Sequence, residues 1–214
     1  MSPILRILLS TILLCQLIVP PLSLQAKDIF IAVEASGTQN GTKENPYVDF
    51  SLALAEVKPG DNILIRGGTY SLNSPLRITI NGSAGLPVTI SGYNNEKVVF
   101  DFSKYVVPKG QEGVNGPPYP HDFGAITILN SKYVTVKNLS VVRSKCAGIQ
   151  ARGSSFVKIQ NCITHDTYSS GVSAWDSDSI LIEGNDVSLA CNLGPHEAIT
   201  VSRSKNFNVI NNTV

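Results

Sequence analysis

The sequence predicts an all-β fold: one chain wound as a single-stranded, right-handed parallel β-helix, with a short N-terminal capping helix. Three observations carry this. Short apolar strands recur at a near-constant interval, polar and small residues recur at fixed phase between them, and no helix-period segment fits in the gaps.

The first 26 residues stand apart. Arg6 precedes an uncharged apolar run from Ile7 to Val19, and Pro20-Pro21 then leads to Ser23-Leu24-Gln25-Ala26. These flanks read as a secretory signal peptide, so the mature chain is expected to be secreted, extracellular or periplasmic. An uncleaved anchor is the alternative, against which stands a run shorter than the ~20 residues of a membrane span. Export leaves Cys146, Cys162 and Cys191 of the four cysteines. An odd set is no disulfide framework and reads as buried small hydrophobes.

Residues 27–122 are expected to form the cap and the first, irregular coils. Phe50, Ala53, Leu54 and Val57 follow helical spacing, and a helix here would cover the open edge of the first coil. Ile63-Leu64-Ile65, Ile78-Thr79-Ile80, Val88-Thr89-Ile90 and Val98-Val99-Phe100 read as strands between Gly, Asn and Pro turns.

Residues 123–214 carry the regular coils. Ile126, Ile149, Val172 and Ile199 each open a strand, at separations of 23, 23 and 27. Ten residues after each opening stand Val136, Ile159, Ile182 and Val209, so each coil is expected to hold two short alternating strands. The polar columns agree. Ser131, Ser154, Ser177 and Ser204 share one phase, and Asn138, Asn161, Gly184 and Asn211 share another. Asn and Gly accept left-handed backbone angles, so the second column marks a recurrent bend. Ala125, Gly148, Gly171 and Ala198 precede the openings, where a small side chain is required. Val209 to Val214 stops within a strand region, from which the chain is expected to be the amino-terminal part of a longer β-helix, a monomer at full length.

Composition narrows the function. Among 214 residues, 43% are hydrophobic and 15% charged, as in a folded domain, and a net charge of +1 supplies no basic face for nucleic acid. After leader cleavage no membrane association is expected.

The run Ala35-Ser36-Gly37, Gly41-Thr42, Asn45-Pro46, the capping segment, Lys58-Pro59-Gly60-Asp61 and Arg66-Gly67-Gly68-Thr69-Tyr70 resembles the amino-terminal region of secreted bacterial parallel β-helix proteins. These include the pectate lyases of polysaccharide lyase family 9 and uncharacterised relatives. Leu86-Pro87-Val88-Thr89-Ile90 and Val99-Phe100-Asp101 resemble the next coils of that group. The resemblance covers most of the mature chain and rests on turn and packing motifs, so it speaks to architecture before chemistry. It implies a calcium site built from aspartates on neighbouring coils, and a lysine that takes the proton beside a uronate carboxylate. The Trp-Ile-Asp-His of family 1 pectate lyases and the Asp-Pro-His-Asp of mannuronan epimerases are absent, as are the paired aspartates of inverting polygalacturonases.

Candidate chemistry falls in two groups. Outward positions of the opening strands are Thr127 and Leu129, Gln150 and Arg152, Ser173 and Trp175, and Thr200 and Ser202, expected as a surface strip. Trp175, the lone tryptophan, with Arg152, Asp176 and Arg203 suits stacking on an acidic saccharide and clamping its carboxylate; an ordinary exposed aromatic is the alternative. The loops entering these strands hold His121 and Asp122, Arg143 and Lys145, His165, Asp166 and Tyr168, and His196 and Glu197. A lyase needs a base and a cation that acidifies the α-proton. Lys145, His165 and His196 are the catalytic candidates, and Asp122, Asp166 and Glu197 the candidate ligands of a metal, calcium by the resemblance. Solvated loop residues are the competing reading. Pro108 to Pro120 interrupts the rhythm as a lid or a surface excursion. Two functions remain open: a lyase acting on acidic polysaccharide, and a non-catalytic carbohydrate-binding, adhesin-like or tailspike-like β-helix.

Overall fold

A computed structural model describes residues 26–108, 124–192 and 196–214. His121, Asp122, nearly all of the proline-rich stretch and all of the expected leader but Ala26 lie outside the described residues.

Strand β1 (Asp28–Ile31) and helix α1 (Phe50–Glu56) precede five turns of solenoid. The first turn holds β2 (Asn62–Ile65), β3 (Gly68–Ser71) and β4 (Leu76–Ile78). The second holds β5 (Val88–Gly92), β6 (Val98–Asp101) and β7 (Gly124–Leu129), and the third β8 (Lys132–Lys137), β9 (Ser140–Ser144) and β10 (Ala147–Arg152). The fourth holds β11 (Ser155–Gln160), β12 (Ile163–Thr167) and β13 (Val172–Trp175), and the fifth β14 (Asp178–Glu183), β15 (Asp186–Ser188) and β16 (Ile199–Ser202). Strand β17 (Lys205–Ile210) follows. Every pairing is parallel, which gives a first sheet β1-β2-β5-β8-β11-β14-β17, a second β3-β6-β9-β12-β15 and a third β4-β7-β10-β13-β16.

Each coil therefore has three strands where the sequence pattern showed two. In the later coils the second sheet escaped the pattern because its strands turn so few apolar side chains inward. Between exposed neighbours, β12 buries Thr164 and β15 buries Val187. Two points inward make no alternation.

The predicted register holds. Ile126, Ile149, Val172 and Ile199 are Cα partners along the third sheet. Val134, Val157 and Ile180 are wholly or almost wholly buried in the same core. The serine column forms a ladder: the N–H of Ser131 donates to Ser154 Oγ at 3.0 Å, Ser154 to Ser177 at 3.2 Å, and Ser177 to Ser204 at 3.1 Å. Asn138, Asn161, Gly184 and Asn211 all take positive φ, between 51° and 65°. The small column is required sterically, because a Cβ on Gly148 would stand 2.3 Å from the Gly171 carbonyl oxygen.

Helix α1 closes one end. Its N-cap Asp49 accepts the Ser51 N–H at 2.8 Å, and its buried Phe50 meets Tyr70 and Phe100 edge-on, with centroids 5.9 and 5.4 Å away.

The expected surface strip is corrected in part. Thr127, Gln150 and Ser173 are fully buried and Thr200 nearly so, although they point away from the core. Neighbouring polar groups enclose them. Thr127 bonds Gly124 and Arg77, Gln150 Nε2 bonds Ser173 Oγ, and Thr200 bonds Ser170 and Glu197.

Candidate functional site

The third sheet delivers its strands to a left-handed corner formed by Asn130, Gly153, Asp176 and Arg203, with φ of 49°, 58°, 51° and 47°. Parallel register sets Arg152, Trp175 and Ser202 side by side at the strand ends. Successive coils thus present Arg152, then Trp175 and Asp176, then Arg203. The Arg203 guanidinium lies 5.2 Å from the Trp175 ring centroid and donates two bonds to Asp176, Nε to Oδ1 at 2.6 Å and Nη2 to Oδ2 at 2.9 Å. Arg203's hydrogen bond holds the Asp176 carboxyl below the usual carboxylate range, and the charges of Arg203 and Arg152 add to this. His196 meets Trp175 edge-on at 5.3 Å and 70°.

Four residues predicted to bind substrate therefore come together, and one candidate base, His196, joins them. The sequence had grouped His196 with the entry loops. The interval from Val172 to Ile199, 27 residues instead of 23, was the sequence signal that marked this coil.

The remaining candidates lie elsewhere. Lys145 is exposed in the bend between β9 and β10, whereas Arg152 stands at the opposite end of β10, a strand roughly 17 Å long. Arg143, His165 and Asp166 belong to β9 and β12 of the second sheet rather than to entry loops. His165 pairs in register with Val142 and Ser188, its Nδ1 lying 2.9 Å from Ser188 Oγ. Arg143 makes a two-pronged ion pair with Asp101 of the preceding coil, a contact with no sequence signal. That hydrogen bond brings the Asp101 carboxyl down to about 2.

The metal set does not assemble among the described residues. Asp166 accepts from Asn192 at 2.7 Å. Glu197 is lowered by its own backbone N–H and by the Thr200 hydroxyl, 3.0 Å away. Asp122 lies outside the described residues. No three His, Cys, Asp or Glu side chains among the described residues converge on one point.

Comparison with known proteins places this geometry in a lineage. The family model for the Pel9A-like, right-handed β-helix region matches residues 29–205. Pectate lyase PEL9 of Emericella nidulans is 27% identical over 146 residues, 68% of this chain and 35% of that protein. Pectate lyase L of Paenibacillus polymyxa is 30% identical over 157 residues, 70% of this chain and 30% of that protein. The chain thus spans about a third of the length of these curated relatives. Among solved structures, pectate lyase Pel9A superposes with a TM-score of 0.65 at 21% identity, covering 87% of this chain and 47% of the other. A rhamnogalacturonan lyase superposes at 0.60 with 17% identity, covering 87% and 54%. The low identities show a shared coil architecture, and the family match shows descent: the chain belongs to the Pel9A-like right-handed β-helix family.

Proposed function

We propose that this protein binds acidic polysaccharide at the end of the third sheet and cleaves it by β-elimination, as a pectate-type lyase. The observation that carries the reading is the cluster at Trp175, with the Arg203 guanidinium 5.2 Å from its ring centroid and the His196 imidazole edge-on at 5.3 Å. An aromatic face takes the C–H face of a pyranose, and guanidinium groups on neighbouring coils suit the uronate carboxylate. Neutralising that carboxylate acidifies the α-proton. A base then takes the proton from C5, its electron pair forms the C4–C5 double bond, the C4–O bond to the next sugar breaks, and the leaving oxygen collects a proton. His196, the candidate base in contact with the platform, is assigned the first transfer. No metal enters this scheme. A polymeric uronate is an extracellular substrate, which suits the leader read in residues 1–26.

The test is incubation with polygalacturonate and with alginate, with and without calcium, followed by ultraviolet absorbance of the unsaturated product. Rising absorbance that His196→Ala abolishes supports the reading; none on either polymer, with binding retained, turns it into the second one. That second reading is binding without cleavage, and the placement of Lys145 and His165 away from Trp175 favours it.

A further inference from the structure

A second left-handed corner turns the chain into the first sheet. Its members are Tyr133, Phe156, Ser179 and Asn206, with φ of 54°, 56°, 57° and 53°. The backbone imposes this angle at all four, and Asn, as at 206, adopts it at least cost. Bulky aromatic residues at such angles are outliers that turn formation does not call for. Here they form a parallel stack, with the Tyr133 and Phe156 centroids 4.5 Å apart and their planes within 2°.

The stack stops at Ser179. Phe156 is 47% exposed, and the next ring position along the axis holds only a hydroxymethyl group. Two strand spacings separate Phe156 from Asn206, about 10 Å, which leaves a gap one ring thick at the stacking interval. The gap opens into a groove of about 600 Å³ on the outer face of the first sheet, within the usual range for ligand sites. Lys158 and Asn208 lie along the same groove. Among the described residues Lys158 has no ion-pair partner.

We propose that this groove is a second, non-catalytic saccharide subsite. A hexuronate ring completes the stack against Phe156 above Ser179, its carboxylate reaching Lys158 and a hydroxyl reaching Asn208. The ligand class is an oligosaccharide containing uronic acid. The site is separate from Trp175 and does not depend on cleavage there.

Trigalacturonate, titrated calorimetrically into the full chain, tests this. In a Trp175→Ala background, binding at the groove is expected to persist. Adding Ser179→Phe, which fills the gap with the ring the stack lacks, should weaken it at least tenfold without lowering the thermal midpoint. Lys158→Gln should weaken it severalfold and flatten its salt dependence, and neutral maltotriose should bind at least tenfold more weakly than trigalacturonate. Loss of all binding in Trp175→Ala alone, or undiminished binding after Ser179→Phe, overturns the proposal. Should Ser179→Phe not fold, unchanged affinity in Lys158→Gln overturns it instead. Absence of polymer cleavage counts against the lyase reading and leaves this one standing.

Discussion

The N–H of Ser131 donates to the Oγ of Ser154 one coil further on, at 3.0 Å. Both residues are buried, and Ser154 Oγ also lies 3.0 Å from the carbonyl oxygens of Ile128 and Arg152. One hydroxyl thus serves a donor in one coil and carbonyls in two.

Removing that hydroxyl leaves the Ser131 N–H without its Ser154 partner, away from water. Ser154→Ala is expected to destabilise the fold by about 1–3 kcal/mol. Ser204→Ala, at the half-buried end of the column, should cost less. Urea titrations of both variants check the order; equal losses would show that the ladder contributes no more than the space it fills.

The Asp101–Arg143 pair predicts acid sensitivity. Asp101's carboxyl sits at about 2, chiefly through Arg143's hydrogen bond, against about 3.9 in an unfolded chain. Its contribution is therefore complete above pH 4 and disappears as the pH falls through 2. Arg143 is half-exposed, so screening holds the effect to about 1 kcal/mol. Stability measured from pH 5 to pH 2 should fall more steeply in the native protein than in Asp101→Asn, and parallel curves would refute the assignment.

Thiol chemistry should separate the three described cysteines. All are free. Burial pushes Cys146 up to about 11 and Cys162 up to about 12, whereas Cys191 is only half-buried and more modestly raised. Maleimide at neutral pH is expected to label Cys191 first in the folded chain and all three after denaturation. Fast labelling of Cys162 in the folded chain would mean that the solenoid opens locally.

At the candidate site, Trp175→Ala should weaken oligogalacturonate binding there about tenfold, some 1–1.5 kcal/mol of lost stacking. Arg203→Lys, which gives up the two-pronged bond to Asp176 and the flat guanidinium over the ring, should act in the same direction. Glu183→Ala, on the first sheet, serves as control, its side chain accepting from Gln160 at 2.8 Å. Spectroscopic titration at the Trp175 site reads Arg203→Lys and the control; a loss at Glu183 equal to that at Arg203 would remove the site from this corner.

What the sequence determined by itself was whatever repeats from coil to coil. Residues 23 apart stack about 4.8 Å apart, so Ile149 on Ile126, Ser154 on Ser131 and Asn161 on Asn138 each repeat one local requirement, and repetition makes a requirement readable. The cap was readable for a related reason, since Phe50 and Ala53 keep helical spacing. Tertiary structure decided the rest. It supplied the second-sheet strands of the later coils, such as β12 and β15, which bury too few apolar side chains to alternate. It buried Thr127, Gln150 and Ser173 under polar neighbours that strand geometry alone leaves to solvent. It brought His196 to Trp175 and Arg143 to Asp101, and it kept Lys145 at the far end of β10 from Arg152. These contacts join long, flexible side chains across unequal stretches of chain. Their meeting depends on where each coil's corner bends and how far its loop reaches, a property of the stacked coils that no single period encodes.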